Sequence, residues 1–582
     1  MPAHVPAEKR RRPLWQRLLE GVRALTSWIR PPCPYVPPDP PIRWRHRVGR
    51  NRERETLRID RYLLVVVRTH TSMDRVLELL EVVGEGVSLA IKFTVEIGSQ
   101  FARELVGKLR ALGAEEIQWK EACELHWDAI FAAHADGQLA ELQKEFDSDI
   151  FVIAHGAGYN RARLASTGGR PGAAGLSSHE LAPDGTTFVS LLGLSAPEQR
   201  TRLCDEARGR DIVIGDLVLD KLVAYLRHRP RFRRELGVGR RKLIVVSSTW
   251  GPRSTYATQL KVVTRLVADL SADEYVVALV LHNNIWYGHS KFEVRLHLRN
   301  EIQSGLLIIE PGTWQSALVS ADLVVGDHGS VTSGYAVGLG LPVLIAADGR
   351  AELDPASPYT ALHLALPRLD VAKPLREQVD RAIAENCPER WKHHTDRVFA
   401  LRGEGLKAAA NALRSLLDLP LFTANPRVGT MALPSVVERH DVTAHQVVVR
   451  TQADGTQRIE RHPAILKHAE EFLDSCLVIS DLEADPTTRS NAEIVVQAEP
   501  LPDDEAAEWI DAQLPTTGLV ATATDSGRTL LRFSDGERIT VTRGDPYVAA
   551  ILLHWRRTNV LPHTGGEFVV ALGNVTHTVV AS

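Results

Sequence analysis

From residue 61 to residue 348 the chain repeats one texture: apolar runs of strand length, with segments of helical length between many of them. "RYLLVVVR" (61–68), "VSLAIKFTV" (87–95), "DAIFAA" (128–133), "DIFVIAH" (149–155), "TTFVSLLGL" (186–194) and "DIVIGD" (211–216) form a first set. The pattern restarts with "RKLIVVSST" (241–249), "EYVVALVLH" (274–282), "GLLIIE" (305–310), "DLVVGD" (322–327) and "PVLIAAD" (342–348). Strands this continuously apolar are buried on both faces, as in a parallel sheet covered by helices on either side. Helical segments are expected at 256–270, 290–303, 313–320, 330–339 and 373–418. The expected fold class is therefore α/β, with two successive Rossmann-like, doubly wound domains joined near residues 228–240, plus a third, smaller domain.

The flanks differ. After about residue 425, "TLLRFSDGERITVT" (529–542) reads as a hairpin turning at Asp535-Gly536, and 463–476 and 545–557 read as helices, which makes a small α+β domain. Before residue 58, "PLWQRLLEGVRALTSWIR" (13–30) places Leu14, Leu18, Val22, Leu25 and Ile29 at helical spacing with Trp15 and Trp28 beside them. Such a helix suits a membrane interface, or a docking site on protein. A stiff Pro-rich spacer (31–41) and a basic run (43–54) follow. Residues 1–60 hold 14 Lys and Arg against 6 Asp and Glu, a net +8, so the remainder carries −11 of the total of −3. A basic head on an acidic body points to an anionic partner, and no recognised nucleic-acid motif accompanies it. The expected organisation is residues 1–57 as basic helix and linker, 58–235 as first α/β domain, 236–422 as second, and 423–582 as accessory domain.

Several classes are excluded. The five cysteines (Cys33, Cys123, Cys204, Cys387, Cys476) are scattered without a CxxC pair, which fits neither a disulfide framework nor a zinc site. No stretch approaches the roughly 20 apolar residues of a membrane span, and the N-terminus lacks the apolar region of a signal peptide. A cytoplasmic protein without metal or cofactor is expected.

In open parallel sheets, ligands bind beyond the carboxyl ends of the strands. The residues there are His155-Gly156, Ser247 to Trp250, His282 to Asn284, Glu310, and Asp327-His328-Gly329-Ser330. Two strands end in histidine and a third in Asp-His. In the "DHGS" turn, free amides at a helix start favour an anion such as phosphate. Gly329 would allow close approach, and Ser330 and Thr332 would add hydroxyls. The plainer reading has Ser330 as a helix cap and His328 as a solvated loop residue. His155, followed by Gly156, Gly158, Arg161 and Arg163, suits a general base beside an anionic substrate.

These residues resemble the CDP-glycerol glycerophosphotransferase family of teichoic-acid polymerases and primases, in a divergent actinobacterial form. The family's HG motif is matched by His155-Gly156, and its TWR-like motif loosely by Thr249-Trp250 with Gly251 following. Its HP motif is matched by His282 with Asn283 in place of proline, and its DYSS motif by Asp327 to Ser330. The resemblance spans roughly residues 61–400. It implies a GT-B fold whose second domain holds a nucleotide diphosphate through Thr249, Trp250, Asp327, His328, Gly329, Ser330 and Thr332. It implies His155 and His282 as catalytic residues. The implied reaction moves a glycerol-phosphate-type group from CDP-glycerol, or another nucleotide-diphosphate donor, to a hydroxyl of an envelope polymer or lipid-linked acceptor. It would take place at the inner, anionic membrane face. A GT-B glycosyltransferase using a nucleotide sugar, and a binding protein on a decayed GT-B scaffold, remain open at this point.

Overall fold

The computed structural model describes residues 59–163, 172–466, 474–513, 518–542, 544–558 and 566–582. The expected helix at 13–30, the Pro-rich spacer and the basic run lie outside the described residues.

The first half carries β1 (Arg61–Val67), β2 (Leu89–Val95), β3 (Ala129–Ala132), β4 (Asp149–Ile153), a two-residue hairpin β5 (Ala162–Arg163) and β6 (Gly172–Ala173), β7 (Leu191–Leu194) and β8 (Asp211–Val213). Six of these form one sheet in the order β2-β1-β3-β4-β7-β8, every neighbour parallel. The second half carries β9 (Lys242–Ser248), β10 (Tyr275–Leu281), β11 (Leu307–Ile308), β12 (Leu323–Gly326) and β13 (Val343–Ile345), in the order β11-β10-β9-β12-β13 and again all parallel. The apolar runs are the reason. Leu63 to Val67 and Leu243 to Val246 are buried on both faces of their sheets. Burial of each such side chain contributes about 1.5–3 kcal/mol.

The halves are not independent. One core cluster contains Leu63 and Phe131 of the first, Leu243 and Val324 of the second, and Ala409 and Leu413 of the helix Gly405–Leu416. That helix returns to the first half, where Arg414 donates to the carbonyls of Val83 (3.2 Å) and Glu85 (3.0 Å). The expected helical stretch at 373–418 is three helices, Leu375–Ala384, Glu389–Val398 and Gly405–Leu416. Two parallel α/β sheets joined in this way are GT-B-like.

The last part agrees with an α+β composition, but its strands close. β14 (Ala444–Thr451), β15 (Gln457–Pro463), β16 (Ser475–Ser480), β17 (Ile494–Val496), β18 (Leu519–Ala523), β19 (Arg528–Phe533), β20 (Arg538–Thr542), β21 (Glu567–Leu572) and β22 (Val575–Ala581) make a nine-stranded barrel, ordered β14-β15-β21-β22-β20-β19-β18-β17-β16. The hairpin expected at 529–542 is β19–β20, with Gly536 at φ 95° in its turn. The helix expected at 545–557 is Val548–Thr558, which packs Ile551 and Trp555 into the barrel core. The helix expected at 463–476 is not formed at its ends: Pro463 ends β15 and Ser475 opens β16, while 467–473 lie outside the described residues. The barrel is fixed to the second half by Arg461 on Asp273 (2.8 Å) and by Arg376 bridging Glu274 (2.8 Å) and Glu460 (2.6 Å).

Candidate functional site

Register brings the chemistry-bearing residues to two facing edges. Ser248 pairs with Leu281, and Ser247 with Gly326, so Thr249, His282 and Asp327 follow their strands at nearly one level. The strand order of the second sheet reverses between β9 and β12, and the loops beyond that switch point are 249–254 and 327–330. In the first sheet His155 lies two residues past the end of β4.

The "DHGS" turn is built around a buried carboxylate. Asp327, 0% exposed, accepts the amides of Thr249 (3.0 Å), Thr255 (2.8 Å) and Gly329 (2.9 Å). The amides of Gly329 and Thr249 are therefore not a free phosphate cradle, because an internal anion already holds them. Asp327 organises the turn and does not face the cleft. Gly329 is required for space: a Cβ there would come 3.0 Å from Thr249 Cβ and 3.1 Å from Asp327 Oδ1.

His328 is likewise turned inward, with 2% of its side chain exposed. Its Nε2 faces Glu352 Oε2 at 3.2 Å, and its ring meets His363 edge-on at a centroid distance of 6.4 Å. A Cβ at position 349 would overlap this ring, so Gly349 makes the room. His328 is therefore not a solvated loop residue. Thr332 is 0% exposed and its hydroxyl packs under the turn against Gly326. The helix behind it, Ser330–Ala336, is a π-helix.

Five expected residues, His155, Thr249, Trp250, His282 and Ser330, lie wholly or partly exposed at the facing sheet edges. The Ser330 hydroxyl accepts the Ala157 amide from the first half at 3.2 Å. A Cβ on Gly156 would come 2.9 Å from that hydroxyl, so the HG motif is as close to the second half as a side-chain-free residue allows. Trp250 is 40% exposed, and its ring lies 6.3 Å from that of His282.

His282 caps the helix Asn283–Gly288, its Nδ1 accepting the Asn284 amide at 3.1 Å. In the neutral ring the proton is then on Nε2, which makes that nitrogen a donor. Burial lowers the His282 pKa to about 3, and the charges of His155 and Arg161 act in the same sense. His155 keeps an accessible face, yet crowding by the cleft walls lowers its pKa to about 4. His134, Arg75 and Arg161 add to this, and the Ala133 carbonyl opposes it. The two histidines thus lie within electrostatic reach of each other, and both rings are neutral at pH 7.

Residues that did not stand out in the sequence complete the site. Arg75 donates to the Gly156 carbonyl (3.1 Å) and the Tyr335 hydroxyl (2.7 Å), and its guanidinium lies 3.4 Å from Asp216. Tyr335 in turn donates to Asp216 at 3.2 Å, so a buried network holds the HG loop to the second half. Arg161 lies 4.6 Å over the Trp250 ring and pairs with Glu352 at 3.0 Å. Arg161 was visible as a charge following His155. Arg75, Asp216 and Tyr335 lie 119 to 260 residues from one another, so their association is not visible in local spacing. No cluster of metal-ligating side chains occurs among the described residues. Nor is any helix among them long and apolar enough to cross a membrane.

No family model matches the chain, and no curated protein matches it. Solved structures do. A wall teichoic acid polymerase, TagF, aligns at 13% identity over 62% of this chain and 89% of that chain, with a TM-score of 0.40. A UDP-GlcNAc 2-epimerase from Methanocaldococcus jannaschii aligns at 11% identity over 60% and 98%, with a TM-score of 0.38. MnaA of S. aureus, in a co-structure with UDP, aligns at 12% identity over 64% and 100%, with a TM-score of 0.38. At this distance nothing about donor, acceptor or activity passes from those proteins to this chain.

Proposed function

We propose that the chain is a transferase that passes a group from a nucleotide-diphosphate donor to an acceptor hydroxyl in the cleft between its two α/β halves. The finer form is transfer of a glycerol-phosphate-type group from CDP-glycerol to an envelope polymer or lipid-linked acceptor, as the motifs at His155, Thr249, His282 and Asp327 suggest. The observation that carries the reading is the bond from the Ala157 amide to Ser330 Oγ at 3.2 Å, which holds the loop of His155 against the strand-end loops of the second half, within electrostatic reach of His282.

In this reading His155 takes the proton of the acceptor hydroxyl as its oxygen attacks the phosphorus bearing glycerol. The phosphoanhydride bond breaks and cytidine monophosphate leaves. His282 donates through Nε2–H to the phosphoryl oxygens, where charge builds up, and Ser330 and Thr249 supply hydroxyl donors. Phosphoryl transfer depends on positioning and charge stabilisation, which a cleft of donors and neutral bases can provide. The working place is the inner membrane face, with residues 13–30 as a peripheral anchor. Attack at an anomeric carbon of a nucleotide sugar would use the same cleft. Thermal unfolding of the full chain with CDP-glycerol, CDP, UDP and UDP-sugars separates the two, because a bound donor stabilises by mass action. Protection by the cytidine compounds alone is expected. Protection by uridine compounds alone would replace the donor, and protection by none would end the reading.

A further inference from the structure

Among the cleft residues one ion pair has no counterpart in the catalytic scheme. Arg161, just beyond the HG loop of the first half, meets Glu352 of the second half at 3.0 Å. The contact uses one carboxylate oxygen, Oε2, and that same oxygen faces His328 Nε2 at 3.2 Å. The pair is accessible, with 37% of the Arg161 side chain and 22% of the Glu352 side chain exposed. The guanidinium carbon lies 4.6 Å from the centre of the Trp250 ring, which neighbours His282, and its charge is felt by both His155 and His282.

We propose that Arg161 is the cation that takes the donor's diphosphate, and that Glu352 is an internal anion holding its place until the donor arrives. The inference rests on the nucleotide-diphosphate reading above and names a binding residue for it. A guanidinium presents five N–H donors in a planar fork and pairs with phosphate oxygens in a two-point fashion. Glu352 engages it through a single oxygen, so a diphosphate offers more charge and more contacts than the carboxylate it displaces. The displaced carboxylate keeps a partner, because His328 Nε2 stays beneath it. This gives the inward-facing His328 a role that neither phosphate binding nor loop solvation supplied.

The surrounding backbone does not need to move for this exchange. Asn160 and Leu353 flank the pair and belong to segments already tied together. Arg161 and Leu353 form an antiparallel bridge, and the Asp354 amide donates to the Asn160 carbonyl at 2.9 Å. Ser357 Oγ donates to Asn160 Oδ1 at 2.8 Å, and Arg202 pairs with Asp354 at 2.9 Å. Only the Glu352 side chain has to swing, and a Glu352→Gln variant retains all of these ties.

The test is calorimetric titration of the full chain with inorganic pyrophosphate and with CDP, in wild type, Glu352→Gln, Glu352→Asp and Arg161→Gln. Removing the competing carboxylate should tighten both ligands about five-fold in Glu352→Gln, with a smaller gain in Glu352→Asp, and Arg161→Gln should weaken both by about ten-fold or more. Unchanged or weaker binding in both Glu352 variants would mean that Glu352 positions Arg161 instead of competing for it. Unchanged binding in Arg161→Gln would remove Arg161 from the diphosphate site. Either result overturns this inference alone, since wild-type binding would leave the donor reading standing. Absence of binding in all four proteins would overturn both.

Discussion

The amide of Ala157 donates to the hydroxyl of Ser330 at 3.2 Å, and this bond joins the HG loop of one α/β half to the "DHGS" turn of the other. Through it the loop that carries His155 is held against the start of the helix Ser330–Ala336. Ser330→Ala removes both this bond and a hydroxyl from the cleft. A loss of about 1 kcal/mol of stability is expected, typical of one hydrogen bond, together with a smaller stabilisation by CDP. Equal CDP protection in wild type and variant, measured by thermal shift, would take Ser330 out of the donor site.

Gly156→Ala should act on function more than on folding. Its Cβ would come 2.9 Å from Ser330 Oγ, so either the loop or the serine must retreat. Loss of transferase activity with a nearly unchanged melting temperature is expected. Full activity in this variant would mean that the loop and the turn do not need their present spacing.

Histidines set the acid limit of stability. His363 has its pKa lowered to about 4, and His282 and His445 to about 3, chiefly by burial, from an ordinary 6.5. The unfolded chain binds more protons than the folded one between those values, so stability rises with pH across that window. It is fully present above about pH 6.5 and is lost progressively as pH falls toward 4 and 3. His282→Gln should flatten the dependence of melting temperature on pH between 6.5 and 4. A curve parallel to that of wild type would show that His282 is not held neutral in the folded protein.

Gly349→Ala tests the inward position of His328. A Cβ would overlap the imidazole, which has no room to shift against Glu352 and His363. Overpacking of this kind costs about 1–3 kcal/mol. Gly84→Ala, where φ is −77° and the added Cβ meets nothing, gives the uncrowded reference. If the two variants lose equal stability, crowding at His328 contributes nothing.

The alternation of apolar runs was enough to foresee two parallel sheets, and the strand-end rule was enough to put His155, His282 and Ser330 at the facing sheet edges. Both rest on local pattern. The inward turn of His328 was not legible, since a histidine in a polar turn reads as solvated until Gly349, 21 residues later, is seen beneath it. Asp327 was legible as important, but its use of the Thr249 and Gly329 amides depends on register between β9 and β12. The barrel was hidden for a similar reason. Its closure depends on parallel pairs such as β15 with β21, where Ile459 meets Leu572. Such distant pairs leave no trace in spacing.

The basic head is a separate claim. Residues 13–30 should bind anionic vesicles reversibly, with nearby arginines adding about 1 kcal/mol each near the surface, and high salt should release them. Co-sedimentation of the full chain should exceed that of a chain starting near residue 57. Equal sedimentation of the two would assign the basic residues to another partner.

In the proposed function His155 is the base of a transfer from a nucleotide-diphosphate donor. Its most direct test is the initial rate of CMP release from CDP-glycerol, with an envelope-membrane fraction as acceptor, by wild type and by His155→Gln. General-base loss should slow release by about 100-fold or more, with CDP affinity retained. Release by the variant at the wild-type rate would contradict the account.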